Sequence, residues 1–337
     1  MNIKKRKNMR VITSQKLFDK YPGHEAELHD LLGQLAGGVG NVDILPIVDY
    51  VATKQKCDSI TNDSICLVGN CDVIPMPELN NPTEDDDPVV PADQVYFCSN
   101  DSLYYIPNKI GSRIPDEQLN PTWDYISTVL KNQIAWKNNK TKNQNWFSIV
   151  AKVWNGTGQL MHDLFKMDEL NISPTITYQN LKIIDINKKI AYINLHGGNN
   201  IPGFYNQQGS DYSVALIPQK DIFNGCFVSS LACYGAQIAN RNMSTSICLS
   251  AMYNDCVAFL GSTNTAYGGS NAPLVCGDLL SKFVFENLLS GQTVGQALMN
   301  GKIQFATDTI KQFGSMNGPA KKTLLSFVLY GNPDIVL

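Results

Sequence analysis

The sequence predicts an α/β chain in two subdomains, each with a mostly parallel central sheet flanked by helices. Three observations predict it. Short runs such as Ile65-Cys66-Leu67-Val68, Ala191-Tyr192-Ile193-Asn194-Leu195 and Cys226-Phe227-Val228-Ser229-Ser230-Leu231-Ala232 stay apolar instead of alternating. Strands buried on both faces of a parallel sheet read that way. Segments with apolar residues at helical spacing lie between these runs, and that alternation builds α/β architecture. A polar stretch, Lys137–Gln144, separates two such alternations and is the candidate boundary. The division expected is a basic tail over 1–8, an N-terminal subdomain over 9–140 and a second subdomain over 141–337.

In chain order, Met9–Thr13 is a short strand. His24–Leu35 carries Leu28, Leu31, Leu32 and Leu35 on one face and stops at Gly37-Gly38, a helix with a glycine end. Val42–Val48 and Ser64–Gly69 are strands. Residues 75–92 hold five prolines and the acidic run Glu84-Asp85-Asp86-Asp87, and are expected as a loop. A charge run is ordinarily a solvated surface; its alternative is a calcium loop, since hard cations take carboxylate oxygens. Asp93 and Tyr96 are expected to fix the contact between subdomains. Ile110–Arg113 reads as a turn and Thr122–Trp136 as a helix. In the second half, Phe147–Val153 is a strand, Asn155–Gly158 a turn before a helical stretch to Leu170, and Leu181–Ile184 a strand. Met243–Tyr253 is helical, Val257–Gly261 a strand, and Pro273–Leu289 a helix whose Asp278 and Glu286 are placed on its solvated face. Thr293 caps a helix to about Phe313, and Leu324–Leu329 is the last strand.

Composition narrows the function. The chain has 337 residues, 43% of them hydrophobic, with net charge −3 and pI near 5.8. A nucleic-acid binder would carry a basic footprint, no apolar run is long enough to span a bilayer, and neither partner is expected. The basic start lacks an apolar segment behind it, unlike a secretory leader. Nine scattered cysteines without a C-x-x-C pair point to a reducing compartment, and the lack of a secretory leader makes the cytoplasm the expected location. A specialised secretion system is compatible with such a chain.

The chemistry lies at two strand ends. The run 191–195 closes in His196-Gly197-Gly198, and the run 226–232 in Cys233-Tyr234-Gly235. Were these strands parallel neighbours, thiol and imidazole would emerge together at the carboxyl edge of the sheet, where open α/β sheets place their sites. A thiol and an imidazole are the minimal nucleophile and acid–base pair of a cysteine hydrolase. A buried, inert cysteine is the bland alternative for Cys233. His24 and His29 fall on a surface helix. His162 could line the site or be solvated. Asn199-Asn200 and Asn206–Gly209 form a polar loop read as either a lid or a linker.

These residues resemble the gingipain family of the caspase-like cysteine peptidase clan. The resemblance rests on the His-Gly and Ala-Cys strand ends and on Leu67-Val68-Gly69-Asn70, Asp93-Gln94-Val95-Tyr96 and Ile110-Gly111-Ser112-Arg113-Ile114-Pro115. It rests also on Val257-Ala258-Phe259-Leu260-Gly261-Ser262-Thr263 and Leu329-Tyr330-Gly331-Asn332-Pro333, all in the family's order. The resemblance implies a caspase-like three-layer sandwich and a catalytic second subdomain. It implies Cys233 as nucleophile and His196 as acid–base group, with the Gly197 and Cys233 N–H groups as oxyanion hole. Thr263 and Tyr267 would lie on the substrate-binding loop Ser262–Gly269, with Tyr267 the aromatic contact. Two departures stand out. The family's acidic residue beside the His is replaced by Trp154, leaving Asp163 and Asp168 as candidates, Asp163 also being placed with the substrate-binding residues. The loop that carries a basic-specific carboxylate is short, so Arg or Lys specificity is not implied.

The function expected is a cysteine endopeptidase acting through an acyl-enzyme on a protein or peptide. Its alternatives are an inactive binding module of the same fold and an acyl transferase or transpeptidase using the same pair. A dinucleotide-binding enzyme is disfavoured, because no G-x-G-x-x-G follows a strand in the first half. No cofactor is required on this reading, calcium being the one metal entertained. The sequence does not specify an oligomeric state.

Overall fold

The structure is a computed structural model that describes residues 8–61, 63–99, 104–136 and 145–337. Most of the basic tail and the boundary segment 137–144 lie outside the described residues. Fourteen strands occur among those described: β1 Met9–Ser14, β2 Val42–Leu45, β3 Ser64–Val68, β4 Glu78–Asn80, β5 Val89–Pro91, β6 Gly111–Ile114, β7 Trp146–Ala151, β8 Asn171–Ser173, β9 Ile190–Asn194, β10 Phe204–Tyr205, β11 Val214–Leu216, β12 Phe227–Ser230, β13 Ala258–Ser262 and β14 Phe327–Tyr330.

Ten of them form one sheet in the order β2-β1-β3-β6-β14-β13-β12-β9-β7-β8. The two expected sheets are therefore joined edge to edge. Every neighbouring pair is parallel except β13 with β14. The last strand of the chain closes the seam: it runs parallel to β6 of the first half and antiparallel to β13 of the second. The two blocks consequently point their carboxyl edges in opposite directions.

Period-two geometry divides the second block between two cores. Ile190, Tyr192, Phe227, Ala258 and Leu260 pack on one face, with Leu280, Val284 and Phe285 of the helix Cys276–Leu289. Ala191, Ile193, Val228 and Phe259 pack on the other, with Leu249 and Met252 of the helix Ile247–Tyr253. Helix, sheet and helix make the three layers. Helix Glu25–Ala36 ends at Gly37 in left-handed conformation, φ 75°, as its glycine pair predicts. Thr293 caps Val294–Phe313 by accepting from Gln296 N–H. No helix of the described residues is long and apolar enough to cross a membrane.

Several local expectations change. Residues 111–114 form strand β6 instead of a turn, paired in parallel with β3 and β14, and Gly111 leaves room for the Phe97 ring where a Cβ would collide. The loop 75–92 contains the hairpin β4–β5. The helix after β7 begins at Asn155 and runs Asn155–Phe165, so the expected turn is its first winding. The short helix Ile183–Ile186 replaces a strand, and Asn171–Ser173 supplies the edge strand β8. Leu324 and Leu325 belong to the helix Gly318–Ser326, not to the last strand. Tyr50–Ser59, a helix capped by the Asp49 carboxylate, carries no clear apolar stripe and escaped the sequence reading.

The first half is centred on Arg113 of β6, which is fully buried. Its guanidinium holds Asp93 through Nη2 at 2.5 Å and Nε at 2.8 Å, and donates to the carbonyls of Gly69 and Ile74. Asp93 thus serves the first half internally, as does Tyr96, whose hydroxyl donates to Pro75 O. Their neighbour Gln94 does reach across to the second half. Its Oε1 accepts from buried Lys302 Nζ at 2.7 Å, and the same ammonium donates to Leu324 O and Phe327 O at the start of the seam. Removing one partner of a buried pair strands a charge, at a cost of about 3–5 kcal/mol. Arg113→Met is therefore expected to lower folding stability by that order in urea denaturation, with much of the loss recovered in the Arg113→Met, Asp93→Asn double variant.

Candidate active site

His196 and Cys233 reach the same place because their strands are registered neighbours. Ser230 of β12 pairs with Ile193 of β9 in parallel, and Leu231 N–H continues the ladder to Ile193 O at 2.8 Å. The same offset sets Cys233 beside His196. The packing agrees: a Cβ on Gly197 would run into the Cys233 carbonyl oxygen. Glycine is what lets the two strand ends close up. After Cys233 the chain turns sharply, with Tyr234 left-handed at φ 57° and Gly235 N–H bonded to Ala232 O. The Gly197 N–H makes no backbone hydrogen bond among the described residues, and the Cys233 N–H is turned toward its own thiol sulfur.

The thiol lies against the loop that follows β13. Ala266 N–H donates to Cys233 Sγ at 3.4 Å, and Sγ is 3.7 Å from Ala266 O. Two buried anchors hold this loop. The first is ionic. Lys322 Nζ, fully buried, sits between Asp85 and Asp87 at 2.5 and 2.6 Å. Asp85 accepts from the Tyr267 hydroxyl at 2.5 Å. Asp87 accepts from Thr265 N–H at 2.9 Å and from the hydroxyl of Tyr234, the residue after the candidate nucleophile. Burial alone would raise both acids; the bonds from Lys322 and the tyrosines outweigh it and hold them below the usual carboxylate range. Half of the acidic run is therefore turned inward as a clamp, while Glu84 and Asp86 stay exposed. Among the described residues no group of three or more His, Cys, Asp or Glu is arranged to hold a metal ion.

The second anchor is Asp278, expected on a solvated helix face but fully buried. It accepts from the Tyr192 hydroxyl at 2.6 Å, Asn194 Nδ2 at 3.2 Å and Gly269 N–H at 3.1 Å. No cation is among these partners, and burial pushes its pKa up to about 7. Glu286 is exposed as expected.

Around His196 the neighbours are uncharged. Its ring centroid lies 4.3 Å from that of Trp154 at a 45° tilt, and 5.3 Å from that of Tyr212. Nε2 is 2.8 Å from Gln207 Oε1. Burial pulls the imidazole pKa down, against the Gln207 bond, and burial pushes the Cys233 thiol up, against the Ala266 N–H. At neutral pH the pair therefore rests as thiol and neutral imidazole, and no hydrogen bond joins the two side chains. The buried Cys66, Cys226 and Cys248 are pushed up to about 12 and stay protonated.

The other predicted residues are spread more widely. Thr263 is buried, with Oγ1 donating to Pro91 O. Tyr267 borders an apolar cavity of about 280 Å³ shared with Val275, Cys276, Leu279, Phe305 and Pro319. Asp163 stands on the exposed side of helix Asn155–Phe165 and binds Gln159 and His162, which places His162 there as well. Asp168 accepts from Trp146 N–H. Neither acid touches His196. Gln207, Lys322 and Asp278 are the site-forming residues that sequence reasoning missed. Only Asn206–Gly209, flagged as a polar loop, pointed near one of them.

No protein-family model and no curated protein sequence matches the chain. Solved structures do. The complex of Porphyromonas gingivalis RgpB pro- and mature domains is similar with a TM-score of 0.67 at 15% identity, covering 98% of this chain and 79% of that one. A structure of a protease is similar with a TM-score of 0.64 at 12% identity, covering 98% of this chain and 78% of that one. The likeness is one of fold: the chain has the caspase-like architecture of the gingipains, as the ordered motifs imply.

The raised pKa of Asp278 gives a stability prediction. Its folded value lies above the unfolded one of about 3.9, so the fold keeps a proton that the unfolded chain releases. This contribution to stability is full below about pH 4 and is lost as pH rises through about 7. Asp278→Asn removes that slope. Urea denaturation of both proteins at pH 5 and pH 8 should show the variant gaining on the wild type by a few kcal/mol at the higher pH; an equal difference at both would rule out the buried acid.

Proposed function

We propose that the chain is a cysteine endopeptidase. The observation that carries the reading is the registered placement of Cys233 beside His196 at the carboxyl edge of a gingipain-type sheet. Cys233 attacks the peptide carbonyl as His196 takes the thiol proton. The N–H groups of Gly197 and Cys233 receive the developing oxyanion. The proton passes from His196 to the leaving amine as the carbon–nitrogen bond breaks, and water then releases the acyl-enzyme. The RgpB neighbour was solved as a complex of its pro- and mature domains; a protein or peptide ligand for this chain is in keeping with that.

A second reading has its own observation. Trp154 stands on His196 where a carboxylate was expected, and no acid touches the imidazole, which suits an inactive binding module. Peptidyl acyloxymethyl ketones differing at P1 separate the two, read by intact mass. The peptidase reading expects a single adduct, absent in Cys233→Ala. It expects labelling to be slowed about 10²–10⁴-fold in His196→Ala, the usual worth of a positioned acid–base group. A folded wild type that takes no probe at any P1 residue is the outcome that favours the binding module. An added amine acceptor then tests for acyl transfer by the product it forms.

A further inference from the structure

We infer that Gln207 is the positioning residue of His196, fixing the imidazole as its Nε2–H tautomer so that Nδ1 is the nitrogen that exchanges the proton with Cys233 and the leaving amine. The inference rests on the reading of Cys233 and His196 as a catalytic pair. Its support is the hydrogen-bond directions around one carboxamide. Gln207 Nε2 donates to Gly209 O at 3.1 Å, which leaves Oε1 as the atom turned to His196 Nε2 at 2.8 Å. Turning the amide over would set Oε1 against the Gly209 carbonyl, acceptor facing acceptor. Since Oε1 can only accept, His196 Nε2 must be the donor, and in a neutral imidazole the proton is then absent from Nδ1.

The fold builds this contact deliberately into the segment read from sequence as lid or linker. Beyond β9 the chain pairs His196 with Tyr205, N–H to O in both directions at 2.8 Å. Two residues past Tyr205, Gln207 turns its carboxamide oxygen to His196 Nε2. The tip beyond is pinned: Asn206 is fully buried, with backbone and side-chain N–H both donating to Ser213 O, and Gln208 and Asp211 exchange backbone bonds. The same hairpin lays Tyr212 against the His196 ring, and Trp154, from the turn after β7, packs on that ring as well. Tyr212 is the only titratable side chain among these contacts, and no carboxylate or cation of the described residues touches the imidazole. A neutral acceptor raises the pKa of His196 less than a carboxylate would, and burial outweighs it, so the imidazole stays uncharged, ready to accept the thiol proton.

The chemistry balances around that tautomer. The Cys233 S–H proton moves to Nδ1 as the sulfur–carbon bond forms and the carbonyl electron pair moves to oxygen. The oxygen pair returns as the carbon–nitrogen bond breaks, and the Nδ1 proton leaves on the amine. Throughout, the Nε2 proton stays bonded to Gln207.

Long-range proton–nitrogen NMR on histidine-labelled protein tests this, with His196 assigned by its absence in His196→Gln. The wild type is expected to show the Nε2–H tautomer. Gln207→Ala is expected to give a tautomer mixture and labelling of Cys233 slowed about tenfold or more. Gln207→Glu is expected to restore the single tautomer and to move the acid limb of the labelling profile to higher pH by about one unit, because a carboxylate favours the imidazolium. An Nδ1–H tautomer in the wild type, or a tautomer unchanged in Gln207→Ala, overturns the inference. The tautomer is read whether or not Cys233 takes a probe, so failure here is distinguishable from failure of the peptidase reading.

Discussion

Lys322 Nζ, fully buried between Asp85 and Asp87, is the interaction on which the candidate site depends. Asp85 and Asp87 belong to the first half of the chain, and Lys322 to the helix Gly318–Ser326 that leads into the last strand. The two carboxylates then reach Tyr234, Thr265 and Tyr267, which flank Cys233 and the loop that touches it. An isolated ammonium in such surroundings would be prohibitively costly, and so would two adjacent carboxylates. Each makes the other tolerable, so the loop from the first half cannot leave without stranding charge. The cluster thereby gives one geometry to a loop that has no regular secondary structure of its own.

The same logic of burial sets the resting state of the pair. Desolvation works against thiolate and imidazolium alike, and the ring neighbours of His196 are aromatic or neutral. Asp278 follows a related pattern on the underside of the loop. It is a buried acid that accepts from three donors without a cation, so it holds Gly269 most firmly when ionised yet is ionised only at an energetic cost. The loop that touches Cys233 is thus fastened from one side by a salt-bridged cluster and from the other by a carboxyl near its titration point.

The sequence by itself determined the fold class and the two strand ends. Apolar runs closed by His-Gly and Ala-Cys are local signals, since burial on both faces selects residue type position by position. Gly37 and Thr293 mark helix ends by local chemistry too, because left-handed backbone and side-chain capping involve only neighbouring residues. Tertiary structure decided what depends on distant partners. Residues 111–114 are a strand because β3 and β14 are there to pair with them, and Leu324 and Leu325 belong to a helix that ends where the seam strand begins. Asp85, Asp87 and Asp278 carry no local mark that separates them from solvated acids. Their partners Lys322 and Tyr192 lie far away in sequence, and an ion's environment is set by what surrounds it in space. Gln207 was hidden for the same reason: an amide's role is fixed by which atoms its oxygen and nitrogen meet, and those are brought together only by the folded hairpin.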